Sequence, residues 1–560
     1  MLDVVARSQR GRICEYKRSE STIVTPFVMS TIRGASDDAM FISVNEKGRT
    51  LHVMGTEVFV DADLMTSESA GIAIEPRSEN GISILRLPVT GDEKIAEGTE
   101  IVVIANAFEL RKDARKLVDN VIKLRGLVGY NVLICAPGLA DPSTMALLAY
   151  MGIDIFDDSV AFVSGKKGIR SIPEGEIISD DDVSVENIAE MHRECGKIHI
   201  FIRGERLREL VDQRVVSSSL SVAALRIFDR VGYEYQEEAC STVGCRFACN
   251  TTQSLRRPEI IRYRKMIMER YQKPEHKRIL LLLPCSAKKP YHTSKTHKRF
   301  ASAIHTADHD TLVHEVIVTS PLGIVPRELD VFFPANSYDI PVTGEWKCQE
   351  KEMIREMLAH FLELGYDKVI SHLGEDTELV AGLTDITETC VGDVTSPASL
   401  MKLDETLREV TKGMKGGDYM VDRKETMRSL LGYQFGTQVA DIIMDKDTFT
   451  IGKFPYWKIM RGRTQLGMLT AERSMVSLTI EGAEVLAAHG FNTVEMMDFE
   501  LKGNLFAIGV KDADLSIRIG DEAIITLNGQ VRGVGVAAMS GREMKDLKRG
   551  IAVKIRHKAK

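Results

Sequence analysis

The chain has 560 residues, 44% of them apolar and 27% charged, which excludes a single hydrophobic core and a disordered chain and predicts several soluble globular domains. No apolar run approaches a membrane span, and no apolar stretch follows the charges of MLDVVARSQRGR, so neither a membrane anchor nor a secretory signal is expected and the protein is read as cytoplasmic. Nine scattered cysteines predict free thiols rather than a disulfide framework; net charge is −7, yet residues 253–278 and 541–560 each carry a local excess of +6, so two patches can meet phosphates or are simply solvated faces.

Residues 1–275 alternate short β-rich runs with helical stretches. EIVVIANA (100–107), YNVLICAPG (130–138) and IDIFDDS (153–159) read as strands, and ELRKDARKLVDNVIKLRG between the first two reads as a helix. This alternation predicts an α/β barrel or an open parallel sheet. Cys240, Cys245 and Cys249 follow with C-x4-C-x3-C spacing, which is not a standard zinc pattern, and no metal is expected.

Residues 276–412 read as a tighter α/β unit. RILLLLP is a buried strand, KRFASAIHTA a helix, LVHEVIVTS (312–320) a second strand, KCQEKEMIREMLAHFLELG (347–365) an amphipathic helix and DKVISHLGE (367–375) a third strand. Parallel strands point their C-terminal ends to one edge. Pro284-Cys285, Ser320-Pro321 and Ser371–Gly374 should therefore meet at one rim. Residues 413–477 form a small mixed module after GMKGGD. Residues 478–560 read as a small β domain with the runs FAIGV, EAIITL and IAVKIRH and the turns IGDE and LNGQ.

The densest chemistry is PCSAKKPYHTSKTH (284–297). Read from residue types alone, Cys285 is either a nucleophile activated by Lys288, Lys289 or His297, or a small buried residue at a strand end. Glu345 and His297 are candidate bases. Ser294 and Tyr291 are candidate donors to a developing negative charge. Arg327 is a candidate fork for a carboxylate, and Asp339 a further polar group from the same region. No Walker-type phosphate loop occurs, and no cofactor is expected.

Three resemblances follow from these residues. The stretch IRIGDEAIITLNGQVRGVGVAAMSGREMKDLKRGIAVKIRH (517–557) resembles a PUA domain, a β-barrel that binds structured RNA. That resemblance implies phosphate contacts from Arg542, Lys545, Lys548, Arg549, Lys554 and Arg556. RGRICEYKRSESTIVTPFVM, MGIDIFDDS and GERLRELVDQRVVSSSLSVAALRIFD resemble the tRNA-guanine transglycosylase family, a (β/α)8 barrel. Asp157 stands where that family places its nucleophile. No DSG-type loop supplies the second aspartate, and Cys195 alone stands where zinc cysteines belong. The barrel is thus expected to be degenerate, binding a modified base or tRNA through groups such as Asp157.

The motif P-C-x3-K-P-Y-x2-S-x2-H, with TSPLGIVPREL (319–329) and YDIPVTGEW (338–346), is similar to the archaeosine synthase family, transglycosylase paralogues with an inserted catalytic unit and a PUA end. The expected architecture is α/β: a degenerate transglycosylase-like barrel (1–275), a central α/β catalytic unit (276–412), a small α+β module (413–477) and a PUA β-barrel (478–560). The resemblance implies a transferase acting on tRNA whose D-loop guanine is already 7-cyano-7-deazaguanine. It adds an amine to the nitrile, with free lysine or glutamine as donor and a radical-SAM enzyme as a partner. It raises Cys285, Lys289 and His297 as catalytic residues, with Glu345 beside them. The transglycosylase likeness suggests a homodimer. A non-catalytic tRNA-binding scaffold and, below it, an active transglycosylase are the other readings.

Overall fold

A computed structural model describes residues 1–18, 20–31, 40–45, 48–53, 55–60, 77–90, 93, 95–306, 309–342, 346–416 and 418–559. The chain divides into two compact units. One comprises Met1–Cys240, Asn504–Arg518 and Ala538–Ala552; the other comprises Ser241–Gly503, Ile519–Ala537 and Val553–Lys560. No helix among the described residues is long and apolar enough to cross a membrane.

In the first unit the expected strands form one sheet. Phe27–Met29, Ile155–Asp157, Leu133–Cys135, Ile101–Ile104 and Ile82–Leu85 run parallel in that order, with Arg77–Glu79 antiparallel at the edge. Their residues are buried on both faces, which is why they read as short continuous apolar runs rather than alternating ones. Five parallel strands stand in this sheet among the described residues, where a complete barrel has eight. The helix Ala114–Val128 connects two of them. Asp113 caps it, its carboxylate accepting from the backbone N–H groups of Arg115 and Lys116 at 3.0 Å.

In the second unit the five-stranded central sheet has the order Gly323–Pro326, Val313–Thr319, Ile279–Pro284, Lys368–Ser371, Thr387–Glu388. All neighbours are parallel except Gly323–Pro326, which turns back on its predecessor. Ile279–Pro284 lies in the middle, so both its faces need cover. Leu280 and Leu282 pack with Tyr263 and Ile267 of helix Pro258–Glu269 and with Ile354, Leu358 and Phe361 of helix Cys348–Leu362. Ile279, Leu281 and Leu283 pack on the opposite face with Phe300 and Ile304 of helix Lys295–Ile304 and Leu403 and Leu407 of helix Pro397–Thr411. Five consecutive aliphatic residues follow from a strand buried on two sides.

Two helices, Tyr419–Phe435 and Thr437–Ile443, then lead into a four-stranded antiparallel sheet spanning Thr448–Lys453, Tyr456–Arg461, Thr464–Thr470 and Met475–Leu478. Near the C-terminus Glu522–Leu527 pairs antiparallel with Gln530–Ala537, and Thr493–Met496 adds a parallel strand. Asn528 and Gly529, both at positive φ, make the tight turn between the first two. Gln530–Ala537 in turn pairs with Ile551–Lys558. A Cβ on Gly535 would lie 2.1 Å from the Lys554 carbonyl oxygen, so only glycine fits where these strands cross.

Candidate active site

The register of the central sheet builds the rim. Pro284 lies opposite Val318, and Leu282 opposite Ser371, so the residues just beyond those positions come together. They are Cys285, Thr319-Ser320 and the turn beginning at Gly374. Cys285 is half-buried and its thiol hydrogen-bonds the Thr319 hydroxyl. Burial pushes the thiol pKa up, while Lys289 and the Thr319 hydroxyl pull the other way. Burial likewise pushes the Lys289 ammonium down, opposed by the Cys285 and Asp339 charges. The two shifts bring a thiol and an amine toward each other in proton affinity.

Aromatic hydroxyls floor this pair. The Lys289 Nζ lies 3.9 Å from the centroid of the Tyr338 ring and 5.7 Å from that of Tyr291. The Tyr291 and Tyr338 hydroxyls bond each other, and Tyr291 also reaches Thr319 Oγ1 at 3.4 Å. Both rings are fully buried, and burial holds both phenols protonated well above their ordinary range. Asp339 stands at the edge, accepting from Arg246 Nη2 at 2.7 Å. Asp376 faces Cys285 from the third strand's turn; Trp346 Nε1 donates to it at 2.7 Å, and burial raises its pKa.

His297 and Arg327 form a separate network beneath the loop. Arg327 Nη2 donates to His297 Nδ1 at 2.8 Å and to Glu315 Oε2 at 2.7 Å, and Arg327 Nη1 donates to Asp330 Oδ2 at 3.4 Å. Asp330 in turn accepts from the His292 backbone N–H at 2.7 Å. Burial, then the Arg327 charge, push His297 down to about 3, so the ring is neutral. A nitrogen that accepts from a guanidinium has no lone pair left for a substrate proton, so Nε2 carries the ring proton. The Arg327 fork is likewise filled by carboxylates of this chain. Ser294 caps the helix Lys295–Ile304, its hydroxyl accepting from the His297 backbone N–H at 3.1 Å. Glu345 lies outside the described residues.

The structure therefore gathers Cys285, Lys289, Tyr291 and Asp339, and sets His297, Arg327 and Ser294 into the support of the loop. Thr319, Tyr338 and Asp376 are the additions. Thr319 and Tyr338 open the stretches TSPLG and YDIP, and Asp376 follows the third strand in HLGED; the central sheet brings Thr319 and Asp376 to the thiol, and Tyr338 comes on a short strand paired with Phe247–Ala248. Among the described residues no group of three His, Cys, Asp or Glu side chains is arranged to hold a metal ion.

Asp157, in the first unit, is fully buried at the end of Ile155–Asp157. It accepts from the Gly138 backbone N–H at 2.5 Å and from the Ser159 hydroxyl. Its neighbour Asp158 accepts from the Ser30 hydroxyl at 2.6 Å and is raised by burial to about 6. At the C-terminus Lys548, Arg549 and Lys554 are exposed. Lys545 pairs with Asp512 at 2.7 Å, and Arg542 donates to the Gly126 carbonyl at 3.1 Å. Arg556 is turned inward: it donates to Glu522 Oε1 at 2.8 Å and to the Leu478 carbonyl at 2.7 Å, leaving its guanidinium engaged by the protein itself.

Comparison with known proteins adds the identity. The archaeosine synthase subunit alpha of Thermoplasma acidophilum is 33% identical over 93% of this chain and 98% of that protein. The chain belongs to the archaeosine synthase family. The homologous subunit alpha of Methanosarcina acetivorans is 32% identical over 84% of this chain and 82% of its own. Residues 260–407 match a domain of unknown function, DUF5591, and residues 494–559 match the PUA domain. The first of these matches spans the Cys285 rim. The tRNA-guanine(15) transglycosylase of Methanobrevibacter smithii is 23% identical over 75% of this chain and 65% of that protein, in keeping with the transglycosylase-like first unit. Family membership gives the chain a role in archaeosine biosynthesis, as the Pro284–His297 motif led one to expect.

Proposed function

We propose that this archaeosine synthase homologue adds an amine to the nitrile of 7-cyano-7-deazaguanine in the D-loop of tRNA, with Cys285 as nucleophile and Lys289 as its proton carrier. Support comes chiefly from one arrangement, a thiol at the end of the central strand beside a half-buried lysine whose pKa shift runs opposite to its own. The Cys285 sulfur bonds to the nitrile carbon. Its proton passes through Lys289 to the nitrile nitrogen, leaving a thioimidate. The donor amine then attacks that carbon, the carbon–sulfur bond breaks, and the thiol is regenerated with a proton from the attacking nitrogen. The product is an amidine carrying the donor's substituent. The donor is free lysine or glutamine, and the test below separates them. A radical-SAM partner would act after release, on the lysine adduct.

The test uses tRNA carrying 7-cyano-7-deazaguanine, wild type or Cys285→Ala, and lysine or glutamine offered separately, with nucleosides read by mass spectrometry. The expected result is a lysine adduct from wild type and at least ~1000-fold less from the variant, the order of loss when an activated nucleophile is removed. An undiminished adduct from Cys285→Ala would sink the covalent route. Unchanged nitrile from wild type that still binds the tRNA would favour a scaffolding role.

A further inference from the structure

The basic excess of residues 253–278 has no part in the chemistry above, and the fold brings one part of it, Arg264 with Arg256, to the end of the second strand beside that rim. Arg264, on helix Pro258–Glu269, donates through Nε to the Pro321 carbonyl at 2.8 Å, and its Nη2 reaches the same oxygen. Pro321 lies two residues beyond Thr319, the hydroxyl partner of Cys285. Arg256, at the end of the turn Gln253–Arg256, is exposed, and its charge bears on Arg264. It makes no ion pair among the described residues. In the same segment Thr252 accepts from Lys347 Nζ at 3.1 Å. Lys347 opens helix Cys348–Leu362, and its backbone N–H donates at 3.0 Å to Glu350, which also accepts from the Ser320 hydroxyl.

Hydrogen bonds, the chain itself and the repulsion between Arg256 and Arg264 link these residues into a circuit around the end of the second strand: Pro321, Arg264, Arg256, Thr252, Lys347, Glu350, Ser320. Three cations and one carboxylate lie on it, and the carboxylate is spent on groups of the circuit. Burial, followed by the Arg256 charge, lowers the Arg264 guanidinium to about 10. Glu350 and Glu356 also bear on Arg264, but more weakly than Arg256, so the largest charge influence on this guanidinium is a like one that an anion from outside would relieve. Lys288, exposed beside Lys289, adds a further positive group, while Arg246 is paired with Asp339.

We infer that Arg256, Arg264 and Lys347 form a docking site for the RNA phosphodiester backbone, which holds the strand beside the nucleotide presented to Cys285. This rests on the tRNA substrate proposed above. A base reacting at the rim must leave its stack, and the phosphates flanking it then need partners on the catalytic unit itself. The site is distinct from the PUA segment and supplies position rather than sequence.

The experiment measures binding of full-length protein to tRNA carrying 7-cyano-7-deazaguanine across a range of potassium chloride concentrations, with no amine donor present. It compares wild type with the Arg256→Gln/Lys347→Gln double variant; Arg264 is left intact because it holds the Pro321 loop. The variant should bind about tenfold more weakly and show a salt slope shallower by about 1.4, two single-strand phosphate contacts at ~0.7 each. With donor added and tRNA saturating, kcat should be unchanged while KM rises. Equal affinity and an equal slope would overturn the inference. Wild type that binds steeply with salt yet forms no adduct would overturn the proposed chemistry and leave the docking site standing. Wild type that does not bind the tRNA would remove both.

Discussion

Cys285 and Lys289 titrate as a pair, and the sign of their coupling gives a prediction. Lys289 is the main influence lowering the thiol pKa against burial. Lys289→Gln removes that charge and leaves the burial, so the thiol should ionise only at higher pH. The acid limb of kcat/KM should then move upward, by about one pH unit or more for a partly buried neighbour. Lys289→Arg keeps the charge and should keep the limb near its wild-type position while losing the proton carrier, so kcat falls instead. A pH profile of the three proteins separates the two contributions. An unmoved limb in Lys289→Gln would mean that the thiol takes no part in the rate-limiting ionisation. Asp376 argues the same way with opposite sign, since its carboxylate opposes thiolate formation.

Elements explain why some of these residues were legible in the sequence and others not. The strand Ile279–Pro284 announces itself because five aliphatic residues in a row fit only a strand covered on both faces. The edge strand Gly323–Pro326 does not, because a four-residue run that ends on a proline carries no period. Cys285 and Tyr291 stand in one dense motif, whereas Thr319, Tyr338 and Asp376 come from segments tens of residues apart and meet only through strand pairings, those of the central sheet and that of Tyr338–Asp339 with Phe247–Ala248, a long-range property that local patterns do not encode. Ser294 has a role that residue type alone does not show. A serine in the motif around Cys285 reads as a donor, and in the structure its hydroxyl also caps Lys295–Ile304, the helix that lays Phe300 and Ile304 against Ile279–Pro284. Ser294→Ala should therefore cost about 1 kcal/mol and speed amide hydrogen exchange along that helix, and Ser294→Asn should restore protection. A substrate-binding role would give the opposite pattern, with protection unchanged and KM raised in both variants.

At the scale of the whole second unit, one buried carboxylate joins the C-terminal β-strands to the sheet that precedes them. Glu522, fully buried on Glu522–Leu527, accepts from Arg556 of Ile551–Lys558, from Arg473 Nη2 at 3.0 Å and from the Leu478 backbone N–H at 2.9 Å. Two guanidiniums share this single anion, so removing it leaves like charges facing each other out of water. Glu522→Gln should destabilise by about 3 kcal/mol or more, and Arg556→Ala, which leaves Arg473 as the partner, by less. Amide hydrogen exchange along Glu522–Leu527 and Met475–Leu478 reads both losses directly. The exposed Lys554, two residues from Arg556, should behave in reverse: Lys554→Ala leaves exchange untouched but weakens tRNA binding and makes its salt slope shallower. If Arg556→Ala instead changed the salt slope with exchange protection intact, the arginine would belong to the RNA surface and the internal pairing would not be its main role.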